Sequence, residues 1–463
     1  MLSVFFLGGK TLHATTPNVV EDANKYSVLV GKNGTGKSRL LKAIVETFVP
    51  PEARDERRNS DDLQISAPPP DFKLAYEYRP SSVIALSASP FDRFPLPAPS
   101  RPDFRMYLPG IDSASYEYLG IRGLSSRNLG ISFMSRAITG LIDSMIENGQ
   151  HAEQVCNVLN YLEYDGTIAA RLQLPYSISK LKELLSTDAE EEDAIAHLHE
   201  YLQKRESGWR PNTRIWSANA KAIWHVLNRF LGALTRPRID IVIDHTGVRS
   251  VNNPNLQIDG DFVFLLELGL LKLREVSLRK LNSHNRIHLN EASSGEQSVV
   301  LGFLGIAAHI QDGSLICIDE PEICLHPEWQ ERYIKLLIST FSRFKRCHFV
   351  IATHSPQIIS RLEDENCFVL NIETGETVDA SELIKRSSDF QLANTFGAPG
   401  YKNEYLSREL ISLLTQFSKS GALSDEQVSF AHKLLKLKPV LDASDPVSKL
   451  MTMLEEVLME RLQ

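Results

Sequence analysis

The stretch GKNGTGKS, Gly31 to Ser38, constrains this chain more than any other feature. It fills the pattern GxxxxGK[ST] completely, follows the apolar run YSVLV and opens the amphipathic run RLLKAIVETFV. A strand, a glycine-rich turn and then a helix form the context in which this pattern curls backbone N–H groups around a phosphate. The start of the helix adds the positive end of its dipole. The residues expected at the phosphates are therefore Gly31, Asn33, Gly34, Thr35, Gly36, Lys37, Ser38 and Arg39. Lys37 is the cation that neutralises β- and γ-phosphate charge, and the Ser38 hydroxyl is a ligand for Mg²⁺. A chance Gly/Lys turn is the bland alternative, and the full match in strand–loop–helix context weighs against it.

Two further runs end in polar groups of the kind such a loop requires. SLICIDE finishes with Asp319 and Glu320, and CHFVIATH finishes with Thr353 and His354. Adjacent carboxylates at the tip of a buried strand are costly unless a cation sits beside them. Asp319 is accordingly read as the second Mg²⁺ ligand, and Glu320 as the general base on the attacking water. His354 lies one strand–helix–strand unit later, where an imidazole reaches a γ-phosphate. The amphipathic EWQERYIKLLISTF separates the two strands, and such alternation marks a parallel sheet flanked by helices.

The remaining chain divides by pattern. At 463 residues it exceeds one ordinary core, so several subdomains are expected. Residues 1–124 carry the loop, and 51–80 read as exposed, proline-rich loop. Residues 125–235 are read as a helical insertion on apolar spacings of three and four. Residues 236–395 hold strand-like RIDIVID and FVFLLELG and the strand-end acids, and 396–463 turn helical again. No run is long and apolar enough for a membrane span, and MLSVFFLGGK is too short for a signal peptide. A formal net charge of −8 gives no support to a whole-surface nucleic-acid binder, although a local basic groove stays open. The five cysteines form no CxxC pair, which reads as a reduced, cytoplasmic chain.

Together the motifs resemble the ABC-type ATPase heads, in the branch shared by SMC-like repair proteins and the overcoming-lysogenization-defect ATPases. GKNGTGKS stands as Walker A, LICIDEPE as Walker B, EICLHPEWQ as the D-loop and ATHSP as the switch-histidine segment. SSGEQ, Ser293 to Gln297, stands where transporters carry LSGGQ. By itself this last segment reads as a helix start capped by the pair Ser293 and Glu296. The resemblance implies that Ser293, Ser294, Gly295, Glu296 and Gln297 contact ATP held by a second copy, in a head-to-tail dimer or higher oligomer. The implied fold is α/β: a P-loop NTPase of ABC-head type with a parallel sheet core, an antiparallel β subdomain, a helical insertion and a C-terminal helical region. One departure is that no glutamine follows VIALS, so Ser87, Ser89 and Asp92 are the only candidates for the lid role.

VIALSASPFDRFP, YEYLGIRG, ASSGEQSVVLGF and DEPEICLHPEWQ also look like the compact Septu-type (PtuA) ATPases of bacterial anti-phage defence, a group also found with some retrons. That resemblance implies an ATPase controlling a separately encoded nuclease, of HNH type in Septu. A repair head acting directly on DNA is the alternative, and a transporter domain the third reading. Residues 125–232 show no sustained heptads, which excludes an SMC arm. No DxD follows residue 360 and no zinc or HNH-type cluster occurs, so nuclease chemistry is not expected in this chain. At the end, Val447, Leu450, Met451, Leu454, Val457 and Leu458 form an apolar stripe behind the cap Asp445. It is expected either to enter the chain's own core or to dock a partner.

Overall fold

A computed structural model describes residues 2–460, apart from 8–9, 18, 51–71, 97–114, 123–128, 148–150, 186–195, 199, 202–212, 283–284 and 364. Of the loop expected over 51–80, residues 51–71 lie outside the described residues, as does most of EEDAIAHLHEYLQKR, and Lys73–Tyr76 forms a strand rather than loop because it pairs with Leu2–Phe6.

Three sheets organise the chain. Strands β1 (Leu2–Leu7), β2 (Lys10–His13) and β4 (Lys73–Tyr76) form a small antiparallel sheet in the order β2-β1-β4. The central sheet contains β3 (Lys25–Val30), β5 (Ser82–Ser87), β6 (Ser115–Gly120), β12 (Leu315–Asp319), β13 (His348–Ala352), β14 (Cys367–Asn371) and β15 (Thr377–Asp379). Its order is β15-β14-β3-β13-β12-β5-β6, parallel throughout except for the edge strand β15. The third sheet, β11-β10-β7-β8-β9, is antiparallel and built from β7 (Ile168–Gln173), β8 (Arg238–Asp244), β9 (Gly247–Ser250), β10 (Lys272–Arg279) and β11 (Arg286–His288).

The central strands are apolar on both faces because helices cover both. Helix α1 (Lys37–Phe48) lays Leu40, Leu41, Ile44 and Val45 over Leu29, Val83, Cys317 and Val350. The alternate residues Val28, Ile84, Ile316, Ile318 and Phe349 face the other way, into one core with Phe303, Ile306, Ile334 and Phe341. Those four belong to α7 (Ser294–His309) and α8 (Pro327–Phe341). That second core continues without a break into α2 (Leu129–Glu147), α3 (His151–Tyr161), α4 (Ile178–Leu185), α5 (Thr213–Ala233) and the antiparallel sheet. Each fully buried aliphatic side chain in it contributes about 1.5–3 kcal/mol.

Two further expectations need correction. FVFLLELG is not a strand but most of α6 (Gly260–Glu267), started by Asp259, whose side chain accepts from the N–H groups of Asp261 and Phe262. A short, nearly continuous apolar run has no diagnostic period, and the cap decided the outcome. Residues 125–235 are not purely helical, because β7 lies inside them and pairs with β8 and β10. Its alternation is weak, with Ile168, Ala170 and Leu172 buried between half-exposed neighbours, so the antiparallel sheet draws on both sides of the expected boundary.

For the C-terminal stripe the sequence leaves two readings open, its own core or a partner. Helices α9 (Pro356–Ser360) and α10 (Ser388–Asn394) lead from the central sheet to α11 (Glu404–Ser420), α12 (Asp425–Leu435) and α13 (Pro446–Glu460). Val447, Met451 and Leu454 are fully buried against Leu406, Leu410 and Leu434 in a separate core. The stripe is therefore covered within the chain, which removes the docking reading for that face. Asp445 does cap α13, accepting from Val447 N at 2.9 Å. Among the described residues no helix is long and apolar enough to cross a membrane, and all five cysteines are free.

Candidate nucleotide site

Strand register gathers the chemistry at one edge. Asp319 pairs with Ser87 on one side and Ala352 on the other, Ala352 with Leu29, and Val30 with Asn371. The carboxyl ends of five parallel strands thus finish together, and in open α/β sheets this edge is where ligands bind.

Immediately beyond Val30 the loop turns into α1. Gly34 and Gly36 have φ of +82° and +99°, and a Cβ on either would meet no atom within 4 Å. The requirement there is conformational, since left-handed backbone disfavours any side chain. Gly36 is the N-cap of α1, with no side-chain cap and no acid in the first turn. Helices α6, α7, α11 and α12 all receive a side-chain cap, from Asp259, Ser293, Asn403 and Ser424. The start of α1 thus offers its N–H groups to an anion.

Lys37 is buried to 5% exposure, and its Nζ donates to Gly31 O at 2.8 Å and Lys32 O at 3.2 Å. Burial pulls its ammonium below the ordinary lysine value, while Glu320, Asp319, Glu322 and Glu373 oppose that pull. Ser38 Oγ donates to Asp319 Oδ1 at 3.1 Å. Asp319, 2% exposed, is raised to about 7 by burial, against the Ser38 hydrogen bond and with the charge of Glu320 adding to the rise. A buried carboxylate with so little compensation, beside a serine hydroxyl and an uncapped helix start, fits a divalent cation with a polyphosphate. Thr35 closes the loop on Lys32 O at 2.9 Å, whereas the side chains of Asn33 and Arg39 are exposed and make no hydrogen bond among the described residues.

The next strands supply the rest. Glu320 has φ of +49°, while its N–H continues the sheet to Ala352 O at 2.9 Å. A non-glycine residue held left-handed at a strand tip is a form of strain that clusters at functional sites. The His354 ring is kept neutral at about 4 by burial and by the charge of Lys37. Glu322, which the sequence reading left without a role, accepts from Thr353 Oγ1 at 2.8 Å and His354 N at 2.5 Å. Glu373 also went unassigned, and it accepts from Lys32 N at 2.5 Å. The third acid in DEPE was a local signal for Glu322, but nothing near Glu373 in sequence marked it.

The lid candidates behave unequally. Asp92 is buried, with Tyr118 Oη donating to Oδ2 at 2.5 Å, Phe94 N to Oδ1 at 3.1 Å and Arg122 Nε 3.5 Å away. That internal pairing takes it out of the lid role. Ser89 Oγ accepts from Phe91 N, whereas Ser87 Oγ lies 3.4 Å from the backbone oxygen of Asp319.

SSGEQ begins α7 as expected, with Ser293 Oγ accepting from Glu296 N at 3.2 Å. The reciprocal half of the capping pair is absent. The Glu296 carboxylate instead takes the Tyr164 hydroxyl and lies 3.6 Å from Lys280 Nζ, and the Gln297 amide donates to Ala292 O at 2.8 Å. Gly295 is also used internally, since a Cβ there would stand 2.9 Å from Cys324 O. Ser294 is the exposed member without a hydrogen-bond partner among the described residues. Nothing local in the sequence marks Tyr164 as the partner of Glu296.

The chain is similar to several known proteins. Residues 173–360 match the family described as "AAA domain, putative AbiEii toxin, Type IV TA system", a span with SSGEQ, Asp319 and His354 but not the phosphate loop. The chain is 24% identical to the "Retron Ec83 probable ATPase" of Escherichia coli over 410 residues, 80% of this chain and 71% of that one. It is 26% identical to the "Septu protein PtuA" of Bacillus thuringiensis over 189 residues, 36% of this chain and 46% of that one. The SMC head domains of Pyrococcus furiosus and Thermotoga maritima superpose with TM-scores of 0.29 and 0.28 at 10% and 13% identity. These superpositions cover 82% and 81% of this chain and 97% of each head, and the P-loop fold stands on the strand order and loop described above.

Proposed function

We propose that this chain, which carries an AAA-family ATPase domain, is an ATP-binding and hydrolysing subunit of a bacterial anti-phage defence system. In this reading two copies close head-to-tail around ATP and control a separately encoded nuclease, of HNH type. The observation that carries the ATPase reading is the convergence of Ser38, Asp319 and buried Lys37 at one strand edge beside an uncapped helix start. The similarity to the retron ATPase and the Septu protein supports the defence setting and the nuclease partner. The exposed Ser294 at the start of α7 supports the dimer.

The roles follow from chemistry. Lys37 exchanges its two loop carbonyls for phosphate oxygens, and the first N–H groups of α1 take another phosphate. Ser38 and Asp319 would hold Mg²⁺, which would supply divalent charge against the polyphosphate. Glu320, on its own turn beyond the buried strand, accepts the proton of the attacking water. His354, kept neutral, donates a hydrogen bond toward the γ-phosphate side. Ser294 contributes a hydroxyl to nucleotide on the other copy.

Two variants test the assignment. Lys37→Ala abolishes tight ATP binding, while Glu320→Gln binds ATP but does not turn it over, because an amide is no base. Normal hydrolysis by Glu320→Gln would remove Glu320 from the mechanism. The absence of a nuclease gene beside this one, or the failure of an HNH nuclease encoded there to co-purify with the chain, would remove the partner.

A further inference from the structure

The imidazole of His354 takes no hydrogen bond among the described residues. Its direction is therefore set by the backbone of the segment Thr353–Ser355, and that backbone is fastened to the stretch following Asp319. Both oxygens of Glu322 are engaged, Oε2 by the Thr353 hydroxyl at 2.8 Å and Oε1 by His354 N–H at 2.5 Å. On the far side of the histidine, Ser355 Oγ donates to Gln330 Oε1 at 2.7 Å, and the Gln330 amide donates to Leu325 O at 3.0 Å. Thr353 is fully buried, its N–H reaches Leu29 O at 3.2 Å, and its Oγ1 accepts from Ser355 N at 3.0 Å. The switch segment is thus gripped from the D-loop side at two points that flank His354.

We propose that Glu322 is a positioning residue for ATP hydrolysis, holding His354 at the γ-phosphate side and relaying the placement of the D-loop to it. The inference rests on the ATPase reading above. A carboxylate accepting a backbone N–H and a hydroxyl at once fixes the peptide plane from which the imidazole leaves. The two bonds are charge-assisted, of the stronger class of hydrogen bond. The charge of Glu322 reaches Lys37 as those of Glu320 and Asp319 do, but both of its oxygens are hydrogen-bonded to the switch segment. Its work therefore passes through His354 rather than through the reacting atoms. A displacement of about 1 Å in such a group costs roughly a hundredfold in rate.

Steady-state ATPase kinetics of the full chain test this with Glu322→Ala, Glu322→Gln and Thr353→Val. Glu322→Ala is expected to lower kcat by about 10- to 100-fold while KM for ATP stays within about twofold. Glu322→Gln restores most of kcat, because its carbonyl accepts His354 N–H and its amide donates to a rotated Thr353 hydroxyl. Thr353→Val, lacking one of the two donors, falls between them. In a His354→Ala background, Glu322→Ala adds no further loss, since a residue acting through His354 has nothing left to position.

Glu322→Gln as inactive as Glu322→Ala overturns the proposal, because charge and not placement is then required. Wild-type kcat in Glu322→Ala overturns it as well. If Glu322→Ala does not fold, Thr353→Val and Glu322→Gln decide, and an unchanged kcat in Thr353→Val sinks the idea. A wild-type chain that hydrolyses no ATP fails the ATPase reading itself. A wild-type chain that hydrolyses ATP, with an inactive Glu320→Gln and a normal Glu322→Ala, fails only this inference.

Discussion

The hydroxyl of Ser38 donates to Oδ1 of Asp319 across 3.1 Å, although 281 residues separate the two in sequence. One ends the phosphate loop and the other ends β12, inside the central sheet. Their meeting is produced by β13, which lies between β3 and β12 and keeps all three strands in register. A buried carboxylate is thereby held against the start of an uncapped helix, a placement that costs stability until a cation arrives.

That cost leads to a first prediction. Asp319→Asn keeps the shape and the Ser38 contact but removes the buried charge. The free variant is expected to melt no lower than wild type. MgATP at a hundred times its wild-type dissociation constant stabilises the wild-type chain by about 2.7 kcal/mol, and this gain is lost in the variant. Calorimetric melting with and without MgATP reads both effects. A variant that melts well below wild type by itself shows Asp319 to be a structural group.

The second prediction concerns Ser294. Lys37→Ala has a dead phosphate loop and an intact signature, and Ser294→Arg has the reverse defect. If the signature of one copy completes the site of the other, a mixed dimer rebuilds one whole site. Each variant alone is expected to be inactive, and their mixture to recover up to about a quarter of wild-type ATPase by random pairing of equal sites. Full activity of Ser294→Arg alone rejects the role in trans.

The third prediction concerns pH. His348 is fully buried, with Nε2 2.8 Å from Ser27 Oγ and Nδ1 without a partner. Ser27 donates its own proton to Ala14 O at 2.6 Å, so the ring proton is assigned to Nε2. Burial, with Lys25 adding to it, depresses this imidazole from 6.5 to about 3. The unfolded chain takes up a proton as pH falls through 6.5, and the folded chain does not until about 3. Stability from this group is therefore complete above 6.5 and drains on acidification, by about 1.4 kcal/mol per pH unit. In urea melts between pH 6 and 4.5, His348→Gln should show a shallower loss than wild type by that slope. Equal slopes would show that the buried ring takes up its proton in the folded state too.

Local chemistry made much of this legible beforehand. The phosphate loop needs glycine where the backbone turns left-handed and a lysine and serine at the helix start, so its eight letters carry their own geometry. Asp319, Glu320 and His354 were visible because each ends an apolar run, and parallel strands of matched length bring such ends to one edge. The cap at Ser293 was legible for the same reason, as a short-range hydrogen bond.

What the sequence determined by itself, then, is whatever depends on neighbours within a turn or a strand: the loop, the strand tips and the helix starts. Tertiary structure alone decided which partner each polar side chain found. Glu296 looked like half of a capping box but was taken by Tyr164 and Lys280, which bridge each other just beyond the ends of β7 and β10, more than a hundred residues away in one case. Asp92 looked free for the lid but was buried with Tyr118, and Gly295 proved to be shaped by the carbonyl of Cys324. The apolar stripe of α13 carried no sign of whether its cover would be its own α11 or another chain. The physical reason is the same in each case. An apolar face or a buried polar group specifies only that it must be covered or paired, and the packing of distant segments settles by what.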